Sequence, residues 1–309
     1  MDTKLLNEVI ACLPKGKTHF RYFEGAYALK LLTLLMPQEV SVADAKQSQY
    51  AKLLQTKLLK PLLANSGGGS LRKEQIDNVW QEPSLPFLLT VSRWGGHKDW
   101  KWNQVSRPGE NLVLQLNLPM EHERLFKRWF APEGEYLFNR SYGHPVQHKR
   151  SSNTYFRETL AWARIDLDLD NNEALIEEIQ SDGVRDMRVY AKRFSSCGCK
   201  QCRQRLQYLD WFALYGKLWS EAMLMATIEF LKIEIGVEHI YMHTDRSGWK
   251  LKHMSGNWRA PKSLYSALPK KFTFQHTYGA PLFLQNAKPY TQLIKKQPDI
   301  DFNYLSLAA

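Results

Sequence analysis

The segment Leu175-Ile-Glu-Glu-Ile-Gln-Ser-Asp-Gly183 reads as a β-strand over 175–181 running into a glycine turn. It is polar for a strand beside a helix-rich stretch, since strands of such sheets normally carry longer apolar runs. After it, Trp211–Ile235 places Trp211, Leu214, Leu218, Ala222, Met225, Ala226, Phe230 and Ile233 at the spacing of one helical face. Gly236 suits the helix stop, and Val237-Glu-His-Ile-Tyr-Met-His-Thr244 reads as the next strand. Strand, helix, glycine, strand is the order of a right-handed crossover, which predicts that the two strands run parallel.

Working outward, three regions are expected in an α+β or α/β chain. Residues 1–80 read as helical, with Tyr27, Leu31, Leu34 and Leu35 and then Leu53, Leu54, Leu58, Leu59 and Leu62 at helical spacing. Residues 81–160 are broken by prolines and contain the strand signals 87–91 and 111–116, with a third at 161–169 that opens the last region. Residues 161–309 form the α/β region, closing on a helix with Tyr265 and a strand at 272–276. The glycine run 65–70 reads as a loop, because the Lys-Ser/Thr of a phosphate-binding loop is missing. The Trp- and Lys-rich turn 93–102 reads either as a base-stacking surface or as tryptophans anchoring a glycine turn.

Functional groups in parallel sheets gather at the carboxyl ends of strands. That rule singles out Gln180, Asp182 and Gly183 after the first strand and Asp245 after the second. Strict alternation along the strand would turn Glu178, Gln180 and Asp182 one way and Glu177, Ile179 and Ser181 the other. Glu178 and Asp182 are then roughly 13 Å apart at ~3.3 Å per residue, too far to work as a carboxylate pair. An edge strand with one solvated face is the alternative reading. His239 and His243 share a strand face, where satisfied polar histidines are commoner than ligands.

The chain has 309 residues, 44% hydrophobic and 24% charged, a composition that excludes disordered, collagen-like and disulfide-scaffold classes. Its most apolar run, 29–36, falls far short of the ~20 residues a bilayer needs, so no membrane partner is expected. The first 17 residues lack an unbroken apolar core and a small-residue cleavage site, which predicts no secretory signal and a reducing, cytoplasmic location. The net charge of +11 is concentrated. Residues 185–205 hold seven basic side chains against one acid, and 246–271 hold seven against none, so the rest of the chain nets −2. Arg188, Arg193, Arg203, Arg205, Arg246, Lys250, Lys252, Arg259 and Lys262 are therefore the expected contacts to a polyanion, nucleic acid or a phosphorylated ligand, if the two segments fold together. Two solvated loops are the alternative.

Three of the four cysteines fall within six residues, Cys197, Cys199 and Cys202. Thiols flanked by positive charge suit a zinc site, and Cys12, His144, His148 and His253 are the available fourth ligands. Reduced surface thiols or a redox switch remain open alternatives.

The pieces Arg164-Ile165, Ile176 through Asp182, Trp219 through Thr244 and Lys262-Ser-Leu-Tyr-Ser-Ala-Leu-Pro-Lys-Lys271 resemble an uncharacterised domain of phage and prophage polyvalent proteins, over residues 160–275. That resemblance implies a mobile-element or phage-conflict setting and brings no assigned activity. In outline, the strand, loop, helix, strand, Tyr-bearing helix and final strand are also similar to the end of GNAT acyltransferases. The likeness implies that the turn Gln180–Arg185 holds a cofactor pyrophosphate through Gly183 and Arg185, and that Tyr265 acts as general acid, with acyl-CoA or another nucleotide as cofactor. Arg185 stands where that family has a small residue. GxSxG, HExxH, GxGxxG and deaminase signatures are absent. The sequence therefore predicts a group-transfer enzyme acting through Glu178, Gln180, Asp182, Asp245 and Tyr265, or else a basic nucleic-acid-binding protein with a small zinc knuckle. It leaves the oligomeric state open.

Overall fold

In a computed structural model describing residues 1–13, 18–96, 103–130, 143–147, 157–252 and 261–308, the polar strand runs from Glu173 to Gln180 inside an eight-stranded mixed sheet. The strands in chain order are β1 (Thr18–Tyr22), β2 (Glu39–Ser41), β3 (Ser70–Arg72), β4 (Leu85–Gly95), β5 (Glu110–Asn117), β6 (Thr159–Asp168), β7 (Glu173–Gln180), β8 (His239–His243), β9 (Gln275–Thr277) and β10 (Phe302–Ser306). The sheet order is β1-β4-β5-β6-β7-β8-β10-β9, and β2 and β3 form a small separate pair. Every neighbouring pair in the large sheet is antiparallel except β7 and β8, which are parallel as the crossover order requires. Strands from all three sequence regions share this one sheet. The fold class is the α/β mixture expected.

The crossover is longer than its periodicity suggested. Helix Asp182–Ser195 starts directly after β7, and helix Lys200–Phe230 begins eleven residues before Trp211. Before Trp211 the long helix buries only Cys202 and Tyr208 and carries few other apolar groups, so an apolar count alone starts too late. A π-helical turn, Leu231–Ile235, follows, and Gly236 ends it at φ +85°, a left-handed conformation that favours glycine. The first basic segment, for which a solvated loop was the alternative reading, is therefore helical over 182–195 and 200–205. The N-terminal region is also not wholly helical: β1 extends the sheet by pairing with β4. Its signal, Thr18-His-Phe-Arg-Tyr22, is five residues with one alternation and is easily missed.

The main core lies between one sheet face and the long helix. Leu112, Leu114, Leu116, Ala161, Ala163 and Ile165 meet Tyr208, Phe212, Leu218, Ala222 and Met225, and helix Ala26–Leu35 completes the layer. A smaller cluster around Leu175, Leu251, Leu284, Ile300 and Phe302 covers the opposite face near β8 and β10.

Two irregularities in β7 position the site. The ladder to β6 pairs Ile165 with Ile176 but Arg164 with Glu178, so Glu177 is an extra residue, a β-bulge. Strict alternation is broken: Ile176 and Ile179, three residues apart, both join the main core. The bulge turns Glu177 and Glu178 together away from it. The ladder to β8 runs from Glu173↔His239 to Ile176↔Met242 and stops, so the parallel strands fork beyond that point.

Ile240 is fully buried in the middle of β8. Ile240→Ala is expected to cost ~2–5 kcal/mol in urea unfolding, the range for a deleted core side chain; a loss below ~0.5 kcal/mol would contradict the central placing of β8.

Candidate functional site

The fork between β7 and β8 is filled by charge. Glu178 accepts from Arg164 Nη2 and lies 3.4 Å from Lys252 Nζ, which donates to the Glu177 carbonyl at 2.9 Å. Arg164 also donates to the carbonyls of Asn103 (2.7 Å) and Gln104 (3.1 Å), and its guanidinium packs 5.4 Å from the Trp94 ring centre. All three charged side chains are buried. Burial opposes ionisation of Glu178, but Arg164 and Lys252 outweigh it and bring the carboxyl down to about 2. Tyr265 lies behind this pair, its ring centre 5.8 Å from Lys252 Nζ. Burial pushes its phenol well above the ordinary range.

Glu177 has its own partners. Ser106 donates its N–H (2.9 Å) and hydroxyl (2.8 Å), and His243 Nε2 stands 3.1 Å away. His243 Nδ1 meets the Ser247 hydroxyl at 3.1 Å. Burial, the largest influence, pushes the imidazole below 6.5, and the neutral tautomer with Nε2–H donating to Glu177 satisfies every contact. Burial likewise opposes ionisation of Glu177, yet its His243, Lys252 and Ser106 partners bring it to about 2. Serine, histidine and acid are thus adjacent, but not as a nucleophilic triad. Ser106 and Glu177 meet the same ring nitrogen, whereas a triad needs them on opposite ones. All three side chains are sealed from solvent, so the arrangement is a structural one.

A different group reaches the surface at the carboxyl end of β7. Ser181 caps helix Asp182–Ser195, its hydroxyl accepting from Val184 N–H, and Asp182 opens the first turn. Asp182 is fully buried and gathers Gln180 Nε2 (2.8 Å), Arg185 Nη2 (2.6 Å) and His144 Nδ1 (2.6 Å). His144 packs edge-on to Trp162 and Trp94, and 29% of its side chain is exposed. A buried carboxylate against Nδ1 fixes the imidazole tautomer and ring orientation, the arrangement found in general acid–base pairs.

The sequence-derived candidates therefore separate. Gln180, Asp182 and Arg185 converge, with the buried Gly183 beside them. Glu178 and Tyr265 belong to the buried fork, and Asp245 opens helix Asp245–Leu251, joined to Asp182 by no hydrogen bond or ion pair among the described residues. The anticipated phosphate turn is differently occupied, since Ser181 and Asp182 already use the helix N-terminus. Of the anticipated basic rim, Arg188, Arg193, Arg203 and Lys262 are exposed. Arg205 stacks on Phe130 and Phe194, and Lys250 lies 4.8 Å from the Trp249 ring centre. Arg246 is held by both carboxylate oxygens of Asp299. Lys252, expected on the rim, is instead buried in the fork. Arg259, His148, His253 and residues 97–102 of the tryptophan turn lie outside the described residues.

Cys197, Cys199 and Cys202 stand at the corner between the two crossover helices, with all three sulfurs within 4.8 Å of one another. That is close enough to share one metal ion. Cys199 caps the long helix, its sulfur accepting from Cys202 N–H at 3.3 Å. That bond and the neighbouring Cys197 thiol bring Cys199 to about 7, whereas contacts with Cys197 and Cys199 push Cys202 up to about 12. Of the proposed fourth ligands, Cys12 is outside the group and His144 is bound to Asp182.

Sequence reasoning missed Arg164, Lys252, His243 and Ser106 as partners of the glutamates. Arg164, the one cation inside β6 and set among Leu160, Ala161, Trp162, Ala163 and Ile165, was the available signal. No helix among the described residues is long and apolar enough to cross a membrane.

The buried groups set a pH dependence. Folded Glu177 and Glu178 titrate at about 2 against 4.5 for a free glutamate, so their stabilisation is present above pH 4.5 and lost as pH falls toward 2. His243 is also held below its free value of 6.5, so its share is present above pH 6.5 and erodes as pH falls below it. Urea unfolding is expected to show a midpoint that declines below pH 6.5 and steepens below 4.5; a flat midpoint from pH 7.5 to 3 would contradict the fork geometry. Comparison of the chain with protein families, curated proteins and solved structures yields no match, so its function is argued from this geometry.

Proposed function

We propose that the protein is a group-transfer enzyme whose reacting centre is the Asp182–His144 pair, with phosphorylated or nucleic-acid substrate held by the exposed arginines of helix Asp182–Ser195. The reading is carried by one observation: a fully buried carboxylate 2.6 Å from a partly exposed imidazole at the carboxyl end of a parallel strand. With Nδ1–H donated to Asp182, the other ring nitrogen takes the proton of an acceptor hydroxyl or amine as that atom attacks the donor. It then returns the proton to the departing group, so the enzyme ends unchanged. Arg185 and Arg188 project from the same helix and supply positive charge for phosphate. The parallel pair and crossover helix support a GNAT-like outline, whereas Tyr265 is buried and His144 takes the acid–base role here. A cytoplasmic, mobile-element setting accords with these features.

A second reading, a non-catalytic nucleic-acid-binding protein with a zinc knuckle, is favoured by the three clustered thiols flanked by exposed Lys192, Arg193, Lys200 and Arg203. Zinc held there would pin the corner from which these charges project.

Under the first reading, a thermal-shift screen of acyl-CoA, NAD and nucleotides yields one strong stabilising cofactor. With that cofactor, His144→Ala and Asp182→Asn lower turnover by ~10²-fold or more with little change in unfolding midpoint. No stabilising cofactor, together with oligonucleotide binding that weakens steeply from ~50 to ~200 mM salt, supports the second reading instead. The zinc assignment is tested separately. Purified protein should carry about one equivalent, reduced in Cys199→Ser, and metal-free protein from zinc-supplemented expression would contradict it.

A further inference from the structure

A cleft of about 470 Å³ lies where residues 48–52 meet residues 270–276 and β10, away from the Asp182–His144 pair. Its lining includes the exposed ammonium groups of Lys52 and Lys270 and the imidazole of His276, and no carboxylate. Asp301, which does not line the cleft, lies 3.3 Å from His276 Nδ1. Electrostatically this is a small basic pocket at the seam between the N-terminal region and the end of the sheet, a common place for ligand sites.

Thr273, which also lines the cleft, adds a second and independent observation. It follows the end of helix Ala267–Lys271 at φ +61°, a conformation in which a β-branched residue is strained. Buried Phe272 and Phe274 on either side, with both their N–H groups donating to the Pro269 carbonyl, hold it there. Glycine is the ordinary occupant of such a helix end. The Thr273 hydroxyl, moreover, is buried without a hydrogen-bond partner. Strain and an unsatisfied donor thus coincide in one residue on the wall of a basic cleft, and a bound acceptor would offset the second of these costs. The cleft wall is firm as well: Asn303 donates to the carbonyls of His243 (2.9 Å) and Tyr265 (3.1 Å), tying it to the carboxyl end of β8.

We propose that this cleft is a binding site for a small phosphomonoester, whose phosphate pairs with Lys52 and Lys270 and accepts a hydrogen bond from Thr273. The volume suits a metabolite-sized ligand. The site goes beyond the group-transfer reading and does not depend on it.

Calorimetric titration with inorganic phosphate and with ribose 5-phosphate, at constant ionic strength, tests the assignment. Saturable one-to-one binding is expected, weakened at least ~10-fold (about 1.4 kcal/mol) in the Lys52→Ala/Lys270→Ala double variant and in Thr273→Val. Thr273→Gly separates binding from folding: it should raise the unfolding midpoint by relieving strain while losing affinity. His144→Ala should bind as the wild type does, so failure of the group-transfer reading leaves this result untouched. Absence of saturable binding, equal affinity in the double variant, or displacement of phosphate by a single-stranded oligonucleotide that binds more tightly would each overturn it.

Discussion

Two parallel strands that separate halfway along their length leave backbone and side chains without neighbours, and something must fill the space. Between β7 and β8 that filling is ionic: Glu178 sits between Arg164 and Lys252, and Glu177 sits among Ser106, His243 and Lys252. Two carboxylates and two cations balance, with His243 neutral between them. Each charge alone would be prohibitively expensive in so dry a place, and together, with their hydrogen bonds satisfied, they are tolerated. The β-bulge at Glu177 makes this possible, because it turns two consecutive acids toward the same space.

The arrangement separates polar residues that look alike in the sequence. Glu177 and Glu178 are sealed and committed to holding the sheet together. Asp182, four residues further on, is equally buried but spends one oxygen on an imidazole that reaches solvent. Buried charge serves architecture in one place and orients a titratable group in the other. The exposed arginines that follow Asp182 on its helix then give the carboxyl end of β7 a positive surface, where an anionic ligand would be drawn.

Much of the fold was legible because its signals are local. The periodicity of Trp211–Ile235, the glycine at 236 and the strand after it were enough to predict the parallel pair. The bulge was not legible, because nothing in Ile-Glu-Glu-Ile distinguishes an extra residue from regular alternation; only the cross-strand register reveals it. The site was half legible for the same reason. Gln180, Asp182 and Arg185 are sequence neighbours and were found together, whereas His144, Arg164 and Lys252 reach their carboxylate partners from 38, 14 and 74 positions away through tertiary structure alone. Basic residues counted along the chain predicted a patch, but not that Lys252 would turn inward to a carboxylate or that Arg246 would be matched by Asp299.

The claim on which the rest depends is that the ion pair in the fork supports the sheet. A double-mutant cycle on Arg164→Met and Glu178→Gln, read by urea unfolding, tests it most directly. Each single variant strands a buried charge and is expected to lose ~3–5 kcal/mol, with a coupling energy toward the upper end of the ~0.5–3 kcal/mol range for contacting residues. Single losses under ~0.5 kcal/mol that simply add would contradict the account.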